Sequence, residues 1–434
     1  MKVSIITLGC KVNQYESQVL LNRFRSRGFT PAEAGEPCDV VVINTCTVTA
    51  ASDRKGRQAL RRARREHPDA VLIVTGCLPQ AFPESETRLP EADIVLGNSN
   101  RSSLLPDLRR FLENRRRIVD IVPHERGERF EAMSTDRFFE RTRAFLKIED
   151  GCNRYCSYCI IPHARGPVRS KPMEDLGREL AAIAAGGYRE VVLTGINLSA
   201  YGQDLGLTLC DAVDAACGTD GVLRVRLGSL EPERLEKDVI DRLRAQKKLC
   251  PQFHLSLQSG CDETLRRMNR HYRADEYREI VRNLRAAFPN AAITTDVMVG
   301  FPGETAREFE TSLAFIKEIG FAKAHVFAYS RRPGTAADRA PDQVEPRVKE
   351  ERSRRMIAAA AETRRAFLQR QVGRTEQVLF EQRRPEGDYE GYTANYTPVR
   401  VGGGRDLRGK LIPVRIREAA GDFCRAEPAD GSPF

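Results

Sequence analysis

Residues 144–159 read AFLKIEDGCNRYCSYC, a short apolar run that gives way at Gly151 to three cysteines, Cys152, Cys156 and Cys159, spaced CxxxCxxC. An apolar run closed by a glycine-led loop reads as a buried strand entering a turn. Five further runs follow: VVLTGIN at 191–197, LRVRLGS at 223–229, FHLSLQS at 253–259, AITTDVMVG at 292–300 and AHVFAYS at 324–330. Each is followed by a helical pattern. Six βα units predict an α/β domain of barrel or partial-barrel type over residues 144–346, its active site where the strands end. Three thiolates on one loop hold three irons of a four-iron cluster and leave the fourth open to a substrate or cofactor, whereas closed electron-transfer clusters have four protein ligands. The competing readings are a zinc knuckle and a cluster completed by a distant fourth ligand.

Upstream, VSIITLG at 3–9, VVVINT at 40–45, VLIVTG at 71–76 and ADIVLG at 92–97 alternate with helical patterns. Continuous Val/Ile runs mean strands buried on both faces, so residues 1–114 are expected to form a doubly wound parallel-sheet domain. Three of its strands end in cysteine: Cys10 in TLGC, Cys46 in INTC and Cys77 in VTGC. In a parallel sheet the carboxyl ends share one edge, so residues this far apart in sequence can converge on one site. Buried structural thiols are the bland alternative.

The arginine- and glutamate-rich stretch 115–143, with Pro123, reads as a linker, and 347–370 as an arginine-rich helical connector with eight basic and three acidic residues. From 371 to 434 short strands broken by Gly and Pro suggest a small antiparallel β-barrel. The whole chain of 434 residues has a formal charge of +10, from 70 basic and 60 acidic residues, which favours a polyanionic partner. No apolar run is long enough to cross a bilayer and the N-terminus lacks the apolar region of a signal peptide, so a soluble cytoplasmic protein without a membrane partner is expected. Twelve cysteines in that reducing setting point to metal or redox chemistry rather than disulfides. Cys38, Cys210, Cys217, Cys250, Cys261 and Cys424 lack ligand spacing and read as core thiols.

The CxxxCx(aromatic)C loop on the first βα unit resembles the radical S-adenosylmethionine (SAM) superfamily. With the three N-terminal cysteines and the C-terminal barrel, the whole chain is similar to the methylthiotransferase family, which joins such an N-terminal domain, a radical SAM core and an RNA-binding TRAM domain. The motifs that carry the likeness are TLGCKVNQYES, NTCTVT, TGC, GCNRYCSYCIIPHARGPVRS, LTGINLSAYG, FHLSLQSGCDETLRRMNR, DVMVGFPGE and GYTANYTPV. GCKVNQYE with SYCIIPHARG resembles the branch acting on N6-threonylcarbamoyladenosine at tRNA position 37, next to the anticodon. Other branches act on isopentenyladenosine or on an aspartate of a ribosomal protein. A non-enzymatic iron-sulfur or zinc RNA-binding protein is the reading from a different class.

The resemblance implies two 4Fe-4S clusters, one held by Cys152, Cys156 and Cys159 and one by Cys10, Cys46 and Cys77. It further implies two SAM molecules per turnover: one methylates a sulfur carried by the N-terminal cluster, the other is cleaved to the radical that permits sulfur insertion at adenine C2. An electron-donor protein and a sulfur source are implied partners beside tRNA. C2–H is unactivated, and no serine, histidine or carboxylate constellation in the chain competes with radical chemistry; His163 reads as a loop residue. Tyr158 is expected to contact the nucleoside of SAM. Asn197, Tyr201, Ser229, Glu231 and Gln258 follow or end strands and are expected at the cofactor, together with Asp296, a carboxylate inside an apolar strand that needs a partner. For RNA, the run RKGRQALRRARR at 54–65 has seven basic residues and no acidic one. The tail is balanced at ten of each sign, so RNA would meet a local patch of Arg400, Arg405, Arg408 and Lys410, with stacking on Tyr392 or Tyr396.

Overall fold

The computed structural model describes residues 1–33, 35–84, 89–135, 142–403 and 406–429. The chain opens with β1 (Lys2–Thr7), α1 (Lys11–Arg25), β2 (Thr30–Pro31), β3 (Val40–Thr45), α2 (Ala50–Glu66), β4 (Val71–Gly76), α3 (Cys77–Ala81), β5 (Ile94–Leu96), α4 (Leu104–Asn114) and β6 (Ile118–Asp120). The strands make one sheet, ordered β2-β1-β3-β4-β5-β6 and parallel throughout. Because β3 and β4 are apolar on both sides, each face can carry a helix layer. Leu20, Phe24, Leu104 and Leu108 pack on Val40 and Val42, while Leu60 and Ala63 pack on Val41 and Ile43. The doubly wound expectation holds. The linker reading does not hold at 118–120: Ile118 is buried and pairs with Ile94, which adds a sixth strand to the sheet. A three-residue strand directly after three arginines is too short to show a period.

The second domain runs β7 (Arg143–Lys147), β8 (Glu149–Asp150), α5 (Ile161–Arg165), β9 (Arg169–Ser170), α6 (Met173–Ala185), β10 (Glu190–Thr194), α7 (Leu209–Gly218), β11 (Arg224–Leu227), β12 (Ser229–Leu230), α8 (Lys237–Arg244), β13 (Gln252–Leu255), α9 (Asp262–Arg267), α10 (Ala274–Ala287), β14 (Ala292–Val299), α11 (Ala306–Ile319) and β15 (Lys323–Ala328). Two parallel sheets, β11-β10-β7 and β12-β13-β14-β15, form one curved wall, since the run LRVRLGS supplies both β11 and β12 with a break at Gly228. All six expected strand runs are present, the third split in two. Alternation along the strands sorts the residues. Val225, Leu227, Phe253, Leu255, Ile293 and Val297 join the large core under the helices. Their alternates Arg226, His254 and Asp296 face inward with Glu190 and meet one another there.

The wall is open, with β7 and β15 as its free edges. Helix α1 packs along β7, and α12 (Pro346–Gln369) along β15. At the β15 side Arg332 binds Asp53 Oδ2 at 2.8 Å and donates to Thr47 Oγ1 at 2.7 Å, so the N-terminal domain spans the opening. The chain ends in β16 (Thr375–Arg383), β17 (Tyr389–Thr393), β18 (Pro398–Val401), β19 (Leu411–Ala420) and β20 (Phe423–Pro428), a closed barrel ordered β16-β17-β18-β20-β19. It is antiparallel except for the β18–β20 pair. No helix among the described residues is long and apolar enough to cross a membrane.

Candidate active site

Each N-terminal cysteine sits where a parallel strand stops. Cys10 follows β1, Cys46 follows β3 and Cys77 follows β4 as the first residue of α3. Two glycines let the three approach. Gly9 has φ +106° and a Cβ there would lie 2.7 Å from Cys46 Cβ; Gly76 has φ +103° and a Cβ would lie 2.5 Å from the Thr45 carbonyl oxygen. Side chains at either position would push the strand ends apart. The thiols feel one another's charge: burial, then Cys77 and Cys10, pushes Cys46 up to about 11. Cys10 keeps an exposed edge, while the side of its thiol turned to the protein is desolvated and raised, opposed by Arg165.

The loop trio is built alike. Burial pushes Cys152 and Cys159 up to about 12, each also raised by Cys156, and backbone N–H groups oppose this at both. Arg270 donates to Cys156 Sγ at 3.3 Å and is held by Glu231, whose backbone N–H donates to Ser199 Oγ at 2.9 Å. Asn197 Nδ2 lies 3.8 Å from Cys152 Sγ, while its backbone N–H donates to Glu149 Oε2 at 2.7 Å. Asn197 Oδ1, Glu149 Oε1 and Gln258 Oε1 are buried without partners. Such orphaned acceptors are rare in a closed core and fit a site that receives a polar ligand. Among the described residues no three Cys, His, Asp or Glu groups close on a single point as one metal ion requires. Thiols that share a neighbourhood, are not disulfide-bonded and meet cationic or N–H donors fit a multi-iron cluster better than a lone ion.

The two trios are linked through two consecutive residues, Arg165 by its side chain and Gly166 by its backbone. Arg165, in α5 just after the cysteine loop, donates from Nε to Cys77 Sγ at 3.3 Å, and the next carbonyl, Gly166, accepts the Cys152 N–H at 3.0 Å. The guanidinium also reaches Asn13 Oδ1 at 2.8 Å and Glu16 Oε1 at 2.5 Å. Glu16 is fully buried and meets Lys147 at 2.8 Å and Arg101 at 3.0 Å as well. Burial opposes its ionisation, but Arg101, Arg165 and Lys147 outweigh that and hold its carboxyl at about 2. Sequence reasoning missed this hub, and also missed Arg270. Asn13, Glu16, Arg165 and Arg270 stand in the quoted motifs NQYES, HARG and RRMNR, yet their pairing spans up to 152 residues.

The remaining expectations divide. Tyr158, within the loop, packs edge-on to Phe301 beside Met268, Met298 and Tyr329. Gln258 is buried at φ +66° and pairs with β14 through its backbone. Asp296 receives His254 Nε2 at 3.3 Å; burial raises its carboxyl, but His254 and then His325 bring it below the usual carboxylate range. Ser229 is exposed. Tyr201 is a correction: its hydroxyl donates to the Lys171 carbonyl at 2.9 Å inside the core, so it is spent on packing rather than on a cofactor. His163 is exposed on α5, and Cys210, Cys217, Cys250, Cys261 and Cys424 are buried thiols while Cys38 is half-buried.

The RNA expectations also change. Tyr392 and Tyr396 stack on each other at 4.5 Å and receive Arg143, with Arg226 4.6 Å over Tyr396, so they face the core domain rather than RNA. Arg400 is taken by Glu390 at 2.8 Å, Arg405 lies outside the described residues, and Arg408 and Lys410 are exposed. In α2, Arg61, Arg62 and Arg64 find Glu91, Glu66 and Asp93, whereas Arg54, Lys55 and Arg65 stay exposed. Carboxylates absent from the run itself arrive from the end of the helix and from the segment just before β5.

Comparison with known proteins fits this architecture. A family model described as the Radical SAM superfamily matches residues 146–316, and one described as Uncharacterized protein family UPF0004 matches residues 2–97. The threonylcarbamoyladenosine tRNA methylthiotransferase MtaB of Bacillus subtilis is 38% identical over 98% of this chain and 96% of its own length. The tRNA-2-methylthio-N(6)-dimethylallyladenosine synthase of Pelotomaculum thermopropionicum is 34% identical over 96% and 95%. A solved radical SAM methyltransferase, TsrM of Kitasatospora setae, overlays with a TM-score of 0.58 at 15% identity, over 78% of this chain and 77% of that one, which speaks to the fold alone. With more than a third of residues identical across virtually the full length of a relative, and both domains matched, the chain belongs to the methylthiotransferase family of radical SAM enzymes.

Proposed function

We propose that this protein converts N6-threonylcarbamoyladenosine at tRNA position 37 to its 2-methylthio derivative. The observation that carries this reading is the pair of cysteine trios linked through Arg165 and Gly166, in a chain 38% identical to a protein named for that reaction. Cys152, Cys156 and Cys159 would hold a 4Fe-4S cluster with one iron open to SAM, and Cys10, Cys46 and Cys77 a second one. Bound there, these groups supply the one-electron chemistry that an unactivated C2–H bond demands, together with the sulfur and the methyl group.

The chain's own residues set the conditions. Arg270 and Asn197 donate to the sulfurs of Cys156 and Cys152, and Arg165 to that of Cys77, each placing a hydrogen-bond donor on a sulfur that would ligate a cluster. Glu231 fixes Arg270, so it acts on the cluster loop through that guanidinium. The inward face at His254, Asp296 and Gln258 offers hydrogen-bonding groups to a nucleoside. The N-terminal domain spans the open side of the wall and brings its cysteine trio toward the cluster loop. An electron-donor protein and a sulfur source complete the reading as partners, and a cytoplasmic site of action accords with a tRNA substrate.

The test is mass spectrometry of nucleosides after anaerobic reconstitution with iron and sulfide, then incubation with SAM, reductant and tRNA containing threonylcarbamoyladenosine. The methylthio product is expected; product only from isopentenyladenosine tRNA, or from neither, would refute the assignment.

The exposed cations beside the site imply how tRNA docks. Helix α2 starts at the Cys46 loop, where the Ala50 N–H donates to Ser330 Oγ at 3.2 Å, so Arg54 and Lys55 lie next to the site entrance. Binding should weaken steeply with salt. Replacing Arg54, Lys55 and Arg65 together with glutamine is expected to lower the magnitude of the log Kd against log salt slope by about 2–3. An unchanged slope in a filter-binding titration would remove this helix from the interface.

A further inference from the structure

Lys11 opens α1 immediately after Cys10 and is half-buried. The charged groups that act on its ammonium are Arg143, Arg226, Glu190 and Cys10. Among the described residues it makes no hydrogen bond and no ion pair. The carboxylates nearby are already committed. Glu190 meets Arg226 at 2.8 Å, Arg224 at 3.6 Å and Arg143 at 3.9 Å, while Glu381 meets Arg143 at 2.6 Å. Four cations, Lys11 and those three arginines, therefore share two carboxylates. The arginines have further partners: Arg224 and Arg226 donate to carbonyls of the C-terminal barrel, and Arg143 and Arg226 lie over Tyr396. Lys11 has none, and a cation half out of water with no counter-ion of its own is costly unless an anion arrives.

The substrate read above brings one. The threonylcarbamoyl group on N6 ends in a carboxylate, whereas adenosine and isopentenyladenosine carry no charge there. Adenine C2 and C6 flank N1 on a single ring edge, so a residue next in sequence to a sulfur-site cysteine is placed to meet the N6 substituent while C2 faces the sulfur. We propose that Lys11 binds the threonyl carboxylate and thereby selects this nucleoside. The inference rests on the substrate reading of the preceding section. A flexible ammonium suits the task because it can follow a mobile acyclic group that a rigid fork could not.

The test compares the affinity of reconstituted protein for two anticodon stem-loop RNAs, identical except for threonylcarbamoyladenosine or adenosine at position 37. For the unsubstituted protein the modified RNA should bind roughly thirty-fold more tightly, the size expected of a desolvated charge pair. Lys11→Met should bring that ratio close to one, and Lys11→Arg should keep most of it. Because the readout is a ratio on one protein, a folding defect weakens both RNAs and leaves it unmoved. A ratio preserved in Lys11→Met overturns the proposal. So does a loss of SAM affinity with the RNA ratio intact, which would assign the ammonium to the carboxylate of SAM instead. If the unsubstituted protein forms the methylthio product but shows no preference, the Lys11 proposal fails alone; if it forms no such product and shows no preference, the substrate reading fails with it.

Discussion

Replacing Cys46 with alanine is expected to separate the two halves of the reaction. Iron should fall from about eight to about four per chain, because one trio loses a ligand and the other keeps all three. Reductant-dependent cleavage of SAM should persist, since Cys152, Cys156 and Cys159 and their donors Asn197 and Arg270 are untouched. Methylthio product should drop to background. The complementary Cys156→Ala variant should lose the other four irons, approximately, and SAM cleavage with them. Cys250→Ala, which removes a buried thiol away from either trio, should keep the full complement. Iron and acid-labile sulfide assays beside 5′-deoxyadenosine quantitation read all three. Full iron in Cys46→Ala would show that Cys46 is a packing thiol.

Glu16→Gln is expected to be the most destabilising single change outside the cysteines. The wild-type carboxylate answers Arg101, Lys147 and Arg165 at once, and all four groups are buried. Neutralising it leaves Lys147 and Arg165 with Asp150 and Arg101 with Glu131 alone, a loss of about 3–5 kcal/mol. The hub also fastens α1 to β7 and α5, so the damage should appear as release of the N-terminal domain: SAM cleavage continues while methylthio product falls. The pH dependence follows from the depressed carboxyl. Its folded value is about 2, against 4.5 for an unperturbed group, so its contribution is complete above about 4.5 and fades as pH falls toward about 2. Acid denaturation of the wild type should therefore steepen across that window, and that component should vanish in Glu16→Gln. Equal thermal midpoints for the two proteins would contradict this description of the hub.

What could be read from the residues is what depends on local order. VVVINT and VLIVTG are continuous and apolar, so burial on both faces, a parallel sheet and cysteines along one edge all follow from the runs themselves. CxxxCxxC is equally local. The features that escaped depend on who meets whom. β6 is three residues long and becomes a strand only because β5 offers it an edge. Tyr201 stands one turn beyond a strand, as a cofactor contact would, and only the placement of the Lys171 carbonyl shows its hydroxyl to be occupied. Tyr392 and Tyr396 look like a stacking platform until Arg143 and Arg226 approach from another domain. Glu16 and Arg165 are separately unremarkable in sequence and become a junction only when the domains dock. The free charge of Lys11 is likewise visible only once Glu190 and Glu381 are seen to be occupied.

The central claim is that two metal centres face one another across the Arg165 contact, and electron paramagnetic resonance of the doubly reduced, reconstituted protein tests it most directly. Magnetic coupling between two nearby spins should broaden and split the spectrum, and Cys46→Ala should collapse it to the simple signal of one cluster. Two narrow, additive signals that relax independently would place the centres too far apart to share a substrate.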